Sequence, residues 1–338
     1  MTEKKFNIII PSISLDSELL SCLQKINKIN YKNFFVTIVL DKGKNTLRAK
    51  DYKFKINFLI SKKKNMSAKR NLGAKSFLSD YLAFLDSDAY PNKNWLKNAN
   101  NYFKKNKILV MGGPNIPFPE QKELISHYCK RSFFLNGHLF YRKFKSKKKY
   151  INDWLESCNI LICRKLFLEN NGMNESIYIG EDQDFFKKLI LRNKDTKILF
   201  CPTLLVFHRE RSFKKLTLQR LSFGMDVFSG FNIYNGFKGT LVCLPLITLI
   251  GFFIFFYISN GSLFFKFQLF GSFLLLINFF IIYEISRYVK SIKKIILTTF
   301  ALNYLNLIYA IGGVFTALGL RKFIERKYKT KVIVCKTI

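Results

Sequence analysis

Two aspartates separated by one residue, Asp86 and Asp88, directly follow an apolar run at residues 81–85. Their carboxylate oxygens can hold a hard divalent cation such as Mg²⁺ or Mn²⁺, and a cation held there stabilises the negative charge on a departing diphosphate. An Asp-x-Asp triplet is also common in solvated turns, so the triplet alone leaves both interpretations open. Its position after a run typical of a buried strand favours the cation site.

A second acidic pair, Glu181 and Asp182, follows Gly180 at the predicted start of a helix. Acidic residues in a first helical turn often only cap the helix or interact with its dipole. A carboxylate here can also act as a general base that takes the proton from an attacking hydroxyl group. The two roles are compatible, and the residues alone do not decide between them.

The elements that position these residues alternate between strand and helix. Short apolar runs with little polar alternation predict strands buried on both faces, and they lie at residues 6–10, 34–40, 56–60, 81–85, 108–113, 157–163, 198–200 and 204–207. Helices are predicted at residues 17–29, 66–78 and 180–192, and another from Pro91 through residue 103, since proline suits the first helical position. This alternation predicts an α/β fold with a doubly wound, mostly parallel sheet.

Polar residues follow three of the predicted strands. Pro11 and Ser12 follow the first, Asp41 the second, and Asp86 and Asp88 the fourth. In a doubly wound sheet ligands bind beyond the carboxyl ends of the strands. We therefore expect these residues to meet in one crevice.

The chain of 338 residues carries a net charge of +34. Such a balance suits nucleic acid or an anionic membrane surface, but the basic clusters at residues 209–220, 287–294 and 321–331 flank apolar segments, which favours lipid headgroups. The 7 cysteines are scattered and form no Cys-x-x-Cys pair. This predicts reduced thiols, rather than disulfides or a zinc site, in a cytoplasmic head, the part of the chain that precedes the apolar segments.

Three apolar segments, at about residues 240–258, 263–283 and 295–320, each reach the length of about 20 residues that a membrane helix needs. The first two predict a hairpin that leaves the basic residues 287–294 inside. A third span would put residues 321–331 outside, against the positive-inside tendency, so two and three spans both remain open. The run at residues 6–10 is too short for a signal peptide core, which predicts a head in the cytoplasm.

Residues 5–225 resemble a family 2 glycosyltransferase of the GT-A fold, in motifs whose order and spacing are specific. The motifs are Ile-Ile-Ile-Pro-Ser at 8–12, Asp41, Lys-Arg-Asn-Leu-Gly at 69–73, Phe-Leu-Asp-Ser-Asp at 84–88, Gly-Gly-Pro-Asn at 112–115, Cys-Asn-Ile-Leu-Ile at 158–162, Gly-Glu-Asp-Gln-Asp-Phe at 180–185, and Pro202 with His208. The resemblance implies a GT-A domain at residues 1–225, followed by an amphipathic and transmembrane region at residues 226–338.

The same resemblance implies roles for the residues near the donor nucleotide. Pro11 and Ser12 would line its pocket, and Asp41 would bind its base or ribose. Arg70 and Asn71 would order a loop beside it, although a purely structural role fits these two residues equally well.

For the chemistry itself, the resemblance implies that Asp86 contacts the ribose or the metal and that Asp88 binds the metal, Mg²⁺ or Mn²⁺. His208 matches a position where some relatives have a metal-binding histidine, while a lone histidine is more often simply hydrogen-bonded. Asp182 would be the catalytic base, with Glu181 shaping the acceptor site.

We therefore expect an inverting enzyme that moves a sugar from a UDP- or GDP-sugar to a lipid-linked or cell-surface glycan acceptor, in cell-envelope polysaccharide synthesis. Polyprenyl phosphate is an alternative acceptor, and a basic membrane-tethered nucleic-acid binder is a distant alternative. Residues 209–224 predict an amphipathic helix on the membrane surface. They lack the Gln-x-x-Arg-Trp motif of processive relatives, which argues against a polymerising synthase. The expected location is the cytoplasmic membrane, with the head facing the cytoplasm.

Overall fold

A computed structural model describes residues 3–44, 46–105, 108–136, 150–151, 154–177, 180–193, 195–225, 250–258 and 262–320. These residues belong to two compact units. The first contains residues 1–118 and 145–209, and the second contains residues 119–144 and 210–338. Residues 119–144 thus belong to the same unit as residues 210–338. This division differs from the predicted domains 1–225 and 226–338, and the predicted boundary stays a prediction.

An eight-stranded sheet forms the centre of the first unit. Its strands are β1 (Phe6–Pro11), β2 (Phe34–Leu40), β3 (Lys55–Ile60), β4 (Tyr81–Phe84), β6 (Val110–Gly112), β8 (Tyr150–Ile151), β9 (Ile160–Cys163) and β10 (Ile198–Phe200). They lie in the order β3-β2-β1-β4-β9-β6-β10-β8. The first four strands are mutually parallel, whereas β9 runs antiparallel to both of its neighbours and β8 runs antiparallel to β10.

Helices cover this sheet and bury its apolar strands. They are α1 (Ser17–Ile26), α2 (Met66–Ser76), α3 (Trp95–Lys105), α6 (Arg164–Glu169) and α7 (Glu181–Arg192), with short 3₁₀ turns at Ala49–Asp51 and Ser157–Asn159. All six residues of β1 are buried, as expected for a strand covered on both faces. The helix α1 begins where the Asp16 carboxylate accepts a hydrogen bond from the Leu19 amide, which satisfies a free donor of the first turn.

A second, three-stranded sheet consists of β5 (Ala89–Pro91), β11 (Val206–His208) and β7 (Asn115–Pro117), with β11 in the middle. The prediction that Pro91 begins a helix is wrong: Pro91 ends β5, and α3 begins only at Trp95. Because β5 is an edge strand of this small sheet, the missing amide hydrogen of proline is tolerated there. His208 belongs to β11 itself and lies opposite Ala89.

The second unit is helical in its described part. It contains a 3₁₀ turn at Pro119–Gln121 and the helices α4 (Ile125–Arg131), α5 (Phe133–Asn136), α8 (Phe213–Met225), α9 (Leu263–Ser286) and α10 (Ile292–Ala317). The predicted helix at residues 209–224 is α8, but one of its faces packs closely on α10. A Cβ atom on Gly224 would lie 1.9 Å from the Tyr309 carbonyl oxygen, and one on Gly312 would lie 2.4 Å from the Leu221 carbonyl oxygen.

Two helices are long and apolar enough to cross a membrane, α9 and α10. In the most apolar part of α9 only 11% of the residues are buried within the protein, against 44% in α10. A helix that is apolar all round and barely covered by protein suits contact with lipid. Of the first predicted segment, at residues 240–258, residues 250–258 are helical, and residues 240–249 lie outside the described part of the chain.

Candidate active site

The predicted donor-binding residues meet at one edge of the large sheet. Pro11 ends β1, with Ser12 next along the chain, and Asp41 directly follows β2. The Lys69 side chain, fully buried in α2, connects them. Its Nζ atom lies 2.7 Å from Asp41 Oδ1 and donates a hydrogen bond of 2.7 Å to the Ser12 carbonyl oxygen. Burial lowers the pKa of Lys69, and the hydrogen bond to Asp41 partly offsets that effect.

The next residue of α2, Arg70, joins the two acidic pairs. Its Nη2 atom lies 2.8 Å from Asp86 Oδ1, and its Nη1 atom lies 3.2 Å from Glu181 Oε1. Burial alone would lower the pKa of Arg70, but the charges of Asp86, Glu181 and Asp182 raise it above its ordinary value. Carboxylates that are more than 90 residues apart in sequence are thus held around one buried guanidinium group.

His208 faces both aspartates of the triplet. Its Nε2 atom lies 3.4 Å from Asp88 Oδ1 and 3.7 Å from Asp86 Oδ2. Its Nδ1 atom lies 2.9 Å from the Arg209 carbonyl oxygen, a contact that orients the ring with Nε2 toward the carboxylates. Burial alone would raise the pKa of Asp86, but His208 and Arg70 hold it below its usual range.

These three side chains suit a divalent cation. The imidazole Nε2 atom lies within 3.7 Å of one oxygen of each carboxylate, and the histidine is oriented by a backbone carbonyl, as metal-binding histidines usually are. Asp88 would be held in place through its backbone as well, because its carbonyl oxygen accepts a hydrogen bond of 3.0 Å from the Arg209 amide. When bound, the cation would supply positive charge to oxygens that become anionic.

Cys158 lies near Asp86 and His208 as well, although its sequence motif predicted no role in cation binding. Its Sγ atom, one ligand atom of His208 and one carboxylate oxygen of Asp86 all lie within 4.8 Å of one another. The cysteine lies in the 3₁₀ turn Ser157–Asn159 that leads into β9. A search for Cys-x-x-Cys pairs misses such a ligand, since its partners lie on other elements of the fold.

Asp182 is fixed beside this group at the start of α7. Its Oδ2 atom accepts a hydrogen bond of 3.1 Å from the Ser157 amide, and its Oδ1 atom accepts one of 2.8 Å from the Gln183 amide. Gly180, which precedes α7, has a φ of 81°, a left-handed conformation that glycine adopts without strain. The acidic pair therefore both begins the helix and faces the residues of the cation site through Arg70.

Asn71, the next residue of α2, forms hydrogen bonds with residues 173–175 rather than with these acidic site residues. Its amide nitrogen donates hydrogen bonds to the Met173 carbonyl oxygen (2.8 Å) and to Glu175 Oε1 (3.1 Å), and its Oδ1 atom accepts one from the Met173 amide (2.9 Å). A Cβ atom on Gly172, whose φ is +66°, would come within 2.4 Å of Asn71 Oδ1. These contacts join Asn71 to residues 173–175, in the segment that precedes α7.

Replacing Arg70 by methionine is expected to destabilise the first unit. The variant removes the cation shared by Asp86 and Glu181 and leaves carboxylates in a largely buried position, a change that typically costs about 3 kcal/mol. We expect the melting temperature to fall by on the order of 10 °C. Arg192→Met, at the exposed end of α7, is the matched control and should shift the melting temperature little; an equal loss in both variants would contradict this role for Arg70.

Comparison with known proteins agrees with this geometry. Residues 7–170 match the sequence profile of the family described as Glycosyl transferase family 2. The amylovoran biosynthesis glycosyltransferase AmsB of Erwinia amylovora is 30% identical over 105 residues, which are 29% of this chain and 35% of that protein. An uncharacterized glycosyltransferase of Haemophilus influenzae is 26% identical over 219 residues, 61% of this chain and 69% of its own length.

A solved structure extends the similarity to most of the chain. The mannosyltransferase PcManGT from Pyrobaculum calidifontis, solved in complex with GDP-Man and Mn²⁺, covers 93% of this chain and 88% of its own with a TM-score of 0.60 and 11% sequence identity. At that identity the similarity concerns the fold alone. Together with the strand order it confirms the predicted α/β architecture.

Proposed function

We propose that this chain, which matches glycosyl transferase family 2 over residues 7–170, is a glycosyltransferase. The proposed reaction moves a sugar, with inversion, from a UDP- or GDP-sugar to a lipid-linked or cell-surface glycan acceptor. The observation that carries the proposal is the convergence of Asp86, Asp88 and His208 at the edge of the sheet, next to the acidic start of α7. In this arrangement, donor binding and proton removal fall on different residues.

The donor nucleotide is proposed to bind beyond the ends of β1 and β2. The Asp41 carboxylate is buried and held by Lys69, so its position is fixed before any ligand arrives. A carboxylate in that place can accept hydrogen bonds from the hydroxyl groups of a ribose or from the ring nitrogen of a base. Pro11 and Ser12 supply the adjoining wall.

The diphosphate of the donor is proposed to lie at Asp86, Asp88 and His208. Mn²⁺ or Mg²⁺ would be held there by the carboxylates and the imidazole nitrogen and would stabilise the charge of the leaving group. Two observations support this assignment: the ligand atoms already face one another, and the fold neighbour from Pyrobaculum calidifontis was solved with GDP-Man and Mn²⁺. Arg70 holds Asp86 in place from the opposite side.

Asp182 is proposed as the general base. As the acceptor oxygen attacks the anomeric carbon, its proton passes to the Asp182 carboxylate, and the bond from that carbon to the diphosphate oxygen breaks with its electron pair on the oxygen. A single displacement of this kind inverts the anomeric configuration. Glu181 is the less suitable base because its carboxylate is already paired with Arg70, and we assign it to shaping the acceptor site.

The acceptor is proposed to be bound to a lipid or to lie at the cell surface, in cell-envelope polysaccharide synthesis. Two observations support a lipid-linked or surface acceptor. Two helices have the length and composition of membrane spans, and the basic cluster at residues 287–294 lies beside one of them in the sequence. A covalent tether to the membrane raises the encounter rate with a lipid-linked acceptor. The head would face the cytoplasm, where nucleotide sugars are made.

Thermal denaturation with a panel of sugar nucleotides tests the donor assignment. We expect one UDP- or GDP-sugar to raise the melting temperature in the presence of Mn²⁺ or Mg²⁺, since a ligand at 100 times its dissociation constant stabilises a protein by about 2.7 kcal/mol. The shift should disappear when the cation is chelated. The matched control is the nucleoside monophosphate with the same base, which lacks the diphosphate and should stabilise the protein less. If no sugar nucleotide shifts the melting temperature with any cation, the proposed donor class is wrong.

A further inference from the structure

A cysteine thiol lies among the residues proposed to hold the cation. Cys158 is buried, with 8% of its surface exposed, and its Sγ atom lies within 4.8 Å of ligand atoms of Asp86 and His208. Mutual distances of this size allow one ion to contact all three ligand atoms after small adjustments of the side chains. The group thus offers a sulfur, a nitrogen and an oxygen ligand to the same point.

The backbone around Cys158 is fixed on both sides. The Ser157 amide donates to Asp182 Oδ2 at 3.1 Å. The Asn159 side chain accepts a hydrogen bond of 3.0 Å from Trp95 Nε1 and donates one of 2.8 Å to the Leu204 carbonyl oxygen. These contacts hold the turn in one conformation, so the direction of the thiol is set by the fold and does not depend on a flexible loop.

The two partners of the thiol are also oriented in advance. The imidazole ring of His208 is held by the Arg209 carbonyl oxygen on its Nδ1 side, and Asp86 is held through Oδ1 by Arg70, with Oδ2 toward His208. Such supporting contacts fix a ligand set and commonly change metal affinity by about 10- to 100-fold. All three ligands are therefore placed by contacts outside the cation site.

This ligand set differs in chemistry from an all-oxygen site. Mg²⁺ prefers oxygen ligands in octahedral geometry, whereas Zn²⁺ binds well to a combination of thiolate, imidazole and carboxylate and accepts four ligands. Three protein ligands and one open position are the arrangement in which zinc keeps a water molecule or another small ligand. The presence of Cys158 thus shifts the preference of the site toward zinc.

We propose that Asp86, Cys158 and His208 form a zinc site in the donor-free enzyme, and that zinc bound there inhibits sugar transfer by occupying the place of the Mn²⁺ or Mg²⁺ used in turnover. The inference concerns regulation of the same site and rests on the proposed function. Zinc binding displaces the thiol proton, which leaves to solvent. No change of oxidation state is involved.

Cobalt titration of the purified full-length chain tests the ligand set directly. Co²⁺ replaces Zn²⁺ in such sites, and a thiolate ligand gives it a charge-transfer absorption band in the near ultraviolet. With a reductant that contains no thiol, we expect this band to appear at one Co²⁺ per chain, to be abolished by stoichiometric Zn²⁺ and to be absent in Cys158→Ser and in His208→Ala. Zinc affinity should fall by about 100-fold in Cys158→Ser. If the unaltered chain shows no thiolate band, the inference is wrong.

Two other cysteines provide matched controls. Cys163→Ser changes a partly exposed thiol at the far end of β9, the strand that follows the turn containing Cys158. Cys22→Ala removes a buried thiol whose pKa is raised mainly by burial and further by the charges of Asp88 and Asp86, so it is a rival source of sulfur. Both variants should keep the band, and loss of the band in Cys22→Ala alone would overturn the assignment of Cys158.

The proposed function is measured separately, by Mn²⁺-dependent turnover of the unaltered chain. Turnover without a thiolate band would leave sugar transfer intact and refute the zinc site. A thiolate band without turnover on any sugar nucleotide would support the ligand set and refute the inhibitory role together with the proposed function. When both are present, Zn²⁺ added at equal concentration should suppress turnover with Mn²⁺ in the unaltered chain, and a failure to do so would refute the inhibitory role.

Discussion

Asp88→Ala is expected to reduce metal-dependent turnover by at least about 1,000-fold, because the variant removes a carboxylate that holds the charge-stabilising cation and such a cation contributes several kcal/mol to the transition state. Asp88 Oδ1 lies 3.4 Å from His208 Nε2, and the side chain is 34% exposed. Because this carboxylate is open to solvent, its loss should leave the fold intact. Donor affinity should also fall, since the diphosphate loses the cation that it shares with the protein.

Steady-state kinetics across a Mn²⁺ titration, with the melting temperature as a check on folding, measures this effect. Asp51→Ala is the matched control: it removes an exposed aspartate from the 3₁₀ turn Ala49–Asp51, in the same unit but outside the cation site, and should leave turnover unchanged. If Asp88→Ala keeps wild-type turnover at low Mn²⁺ concentration, the cation is bound elsewhere.

The central strands were predictable because their burial appears directly in the sequence. Residues 34–40 and 198–200 were predicted as strands with the bounds that β2 and β10 have, since each is a short apolar run with covered faces on both sides. The wrong prediction at Pro91 has a different cause. Proline is common both at the first position of a helix and on an edge strand, and only the pairing of β5 with β11 decides between them.

The residues of the site were predictable where a strand delivers them to the sheet edge. Asp41, Asp86 and Asp88 follow strands whose carboxyl ends lie together, so the topology alone predicted that they would be close. The partners that organise them were not predictable. Lys69 and Arg70 are successive residues of α2, yet one pairs with Asp41 and the other with Asp86 and Glu181, and a sequence does not show which buried cation meets which acid.

Cys158 is a second residue whose place in the site could not be predicted from the sequence. Cysteine is often buried as a small apolar residue, and a single cysteine before a strand carries no signal of metal binding. Its meaning depends on β9 lying between β4 and β6 and on β11 bringing His208 to the same place. Antiparallel pairing of β9 places its amino-terminal turn at the edge where the parallel strands end, and that direction cannot be read from the apolar run at residues 157–163.

Residues 119–144 make contacts that chain order does not show. They fall within the predicted domain of residues 1–225, whose boundary stays a prediction, and they belong to the second unit. In that unit, Ser132 Oγ donates a hydrogen bond of 2.6 Å to Glu284 Oε2, and Asn306 donates one of 3.2 Å to the Phe134 carbonyl oxygen. The Glu210 carboxylate accepts from Lys130 and lies 3.4 Å from His127 Nδ1. Burial by itself would raise the pKa of Glu210, but the hydrogen bond with His127 and the charge of Lys130 lower it to about 2.

The proton-transfer role assigned to Asp182 makes a second large prediction. Asp182→Asn keeps the size of the side chain and an oxygen that can still accept from the Ser157 or Gln183 amide, but an amide cannot take a proton from the acceptor hydroxyl group. We therefore expect turnover to fall by about 10²- to 10⁴-fold, with donor binding in the presence of Mn²⁺ nearly unchanged. Asp184→Asn is the matched control. Asp184 is in the same helical turn but pairs with Lys188 at 2.8 Å, and its loss should leave turnover unchanged.

The same variant also separates the two proposed acceptors. A sugar hydroxyl group must lose its proton as it attacks, whereas the second pKa of a phosphate monoester is about 6, so polyprenyl phosphate is already largely deprotonated at neutral pH. Asp182→Asn should therefore abolish transfer to a glycan hydroxyl group while leaving much of any transfer to polyprenyl phosphate. Parallel assays with a lipid-linked sugar and with polyprenyl phosphate measure the two rates. Near-normal transfer to a hydroxyl acceptor by Asp182→Asn would show that Asp182 is not the base, and a Glu181→Gln variant that loses this transfer while still binding the donor would then assign the proton to Glu181.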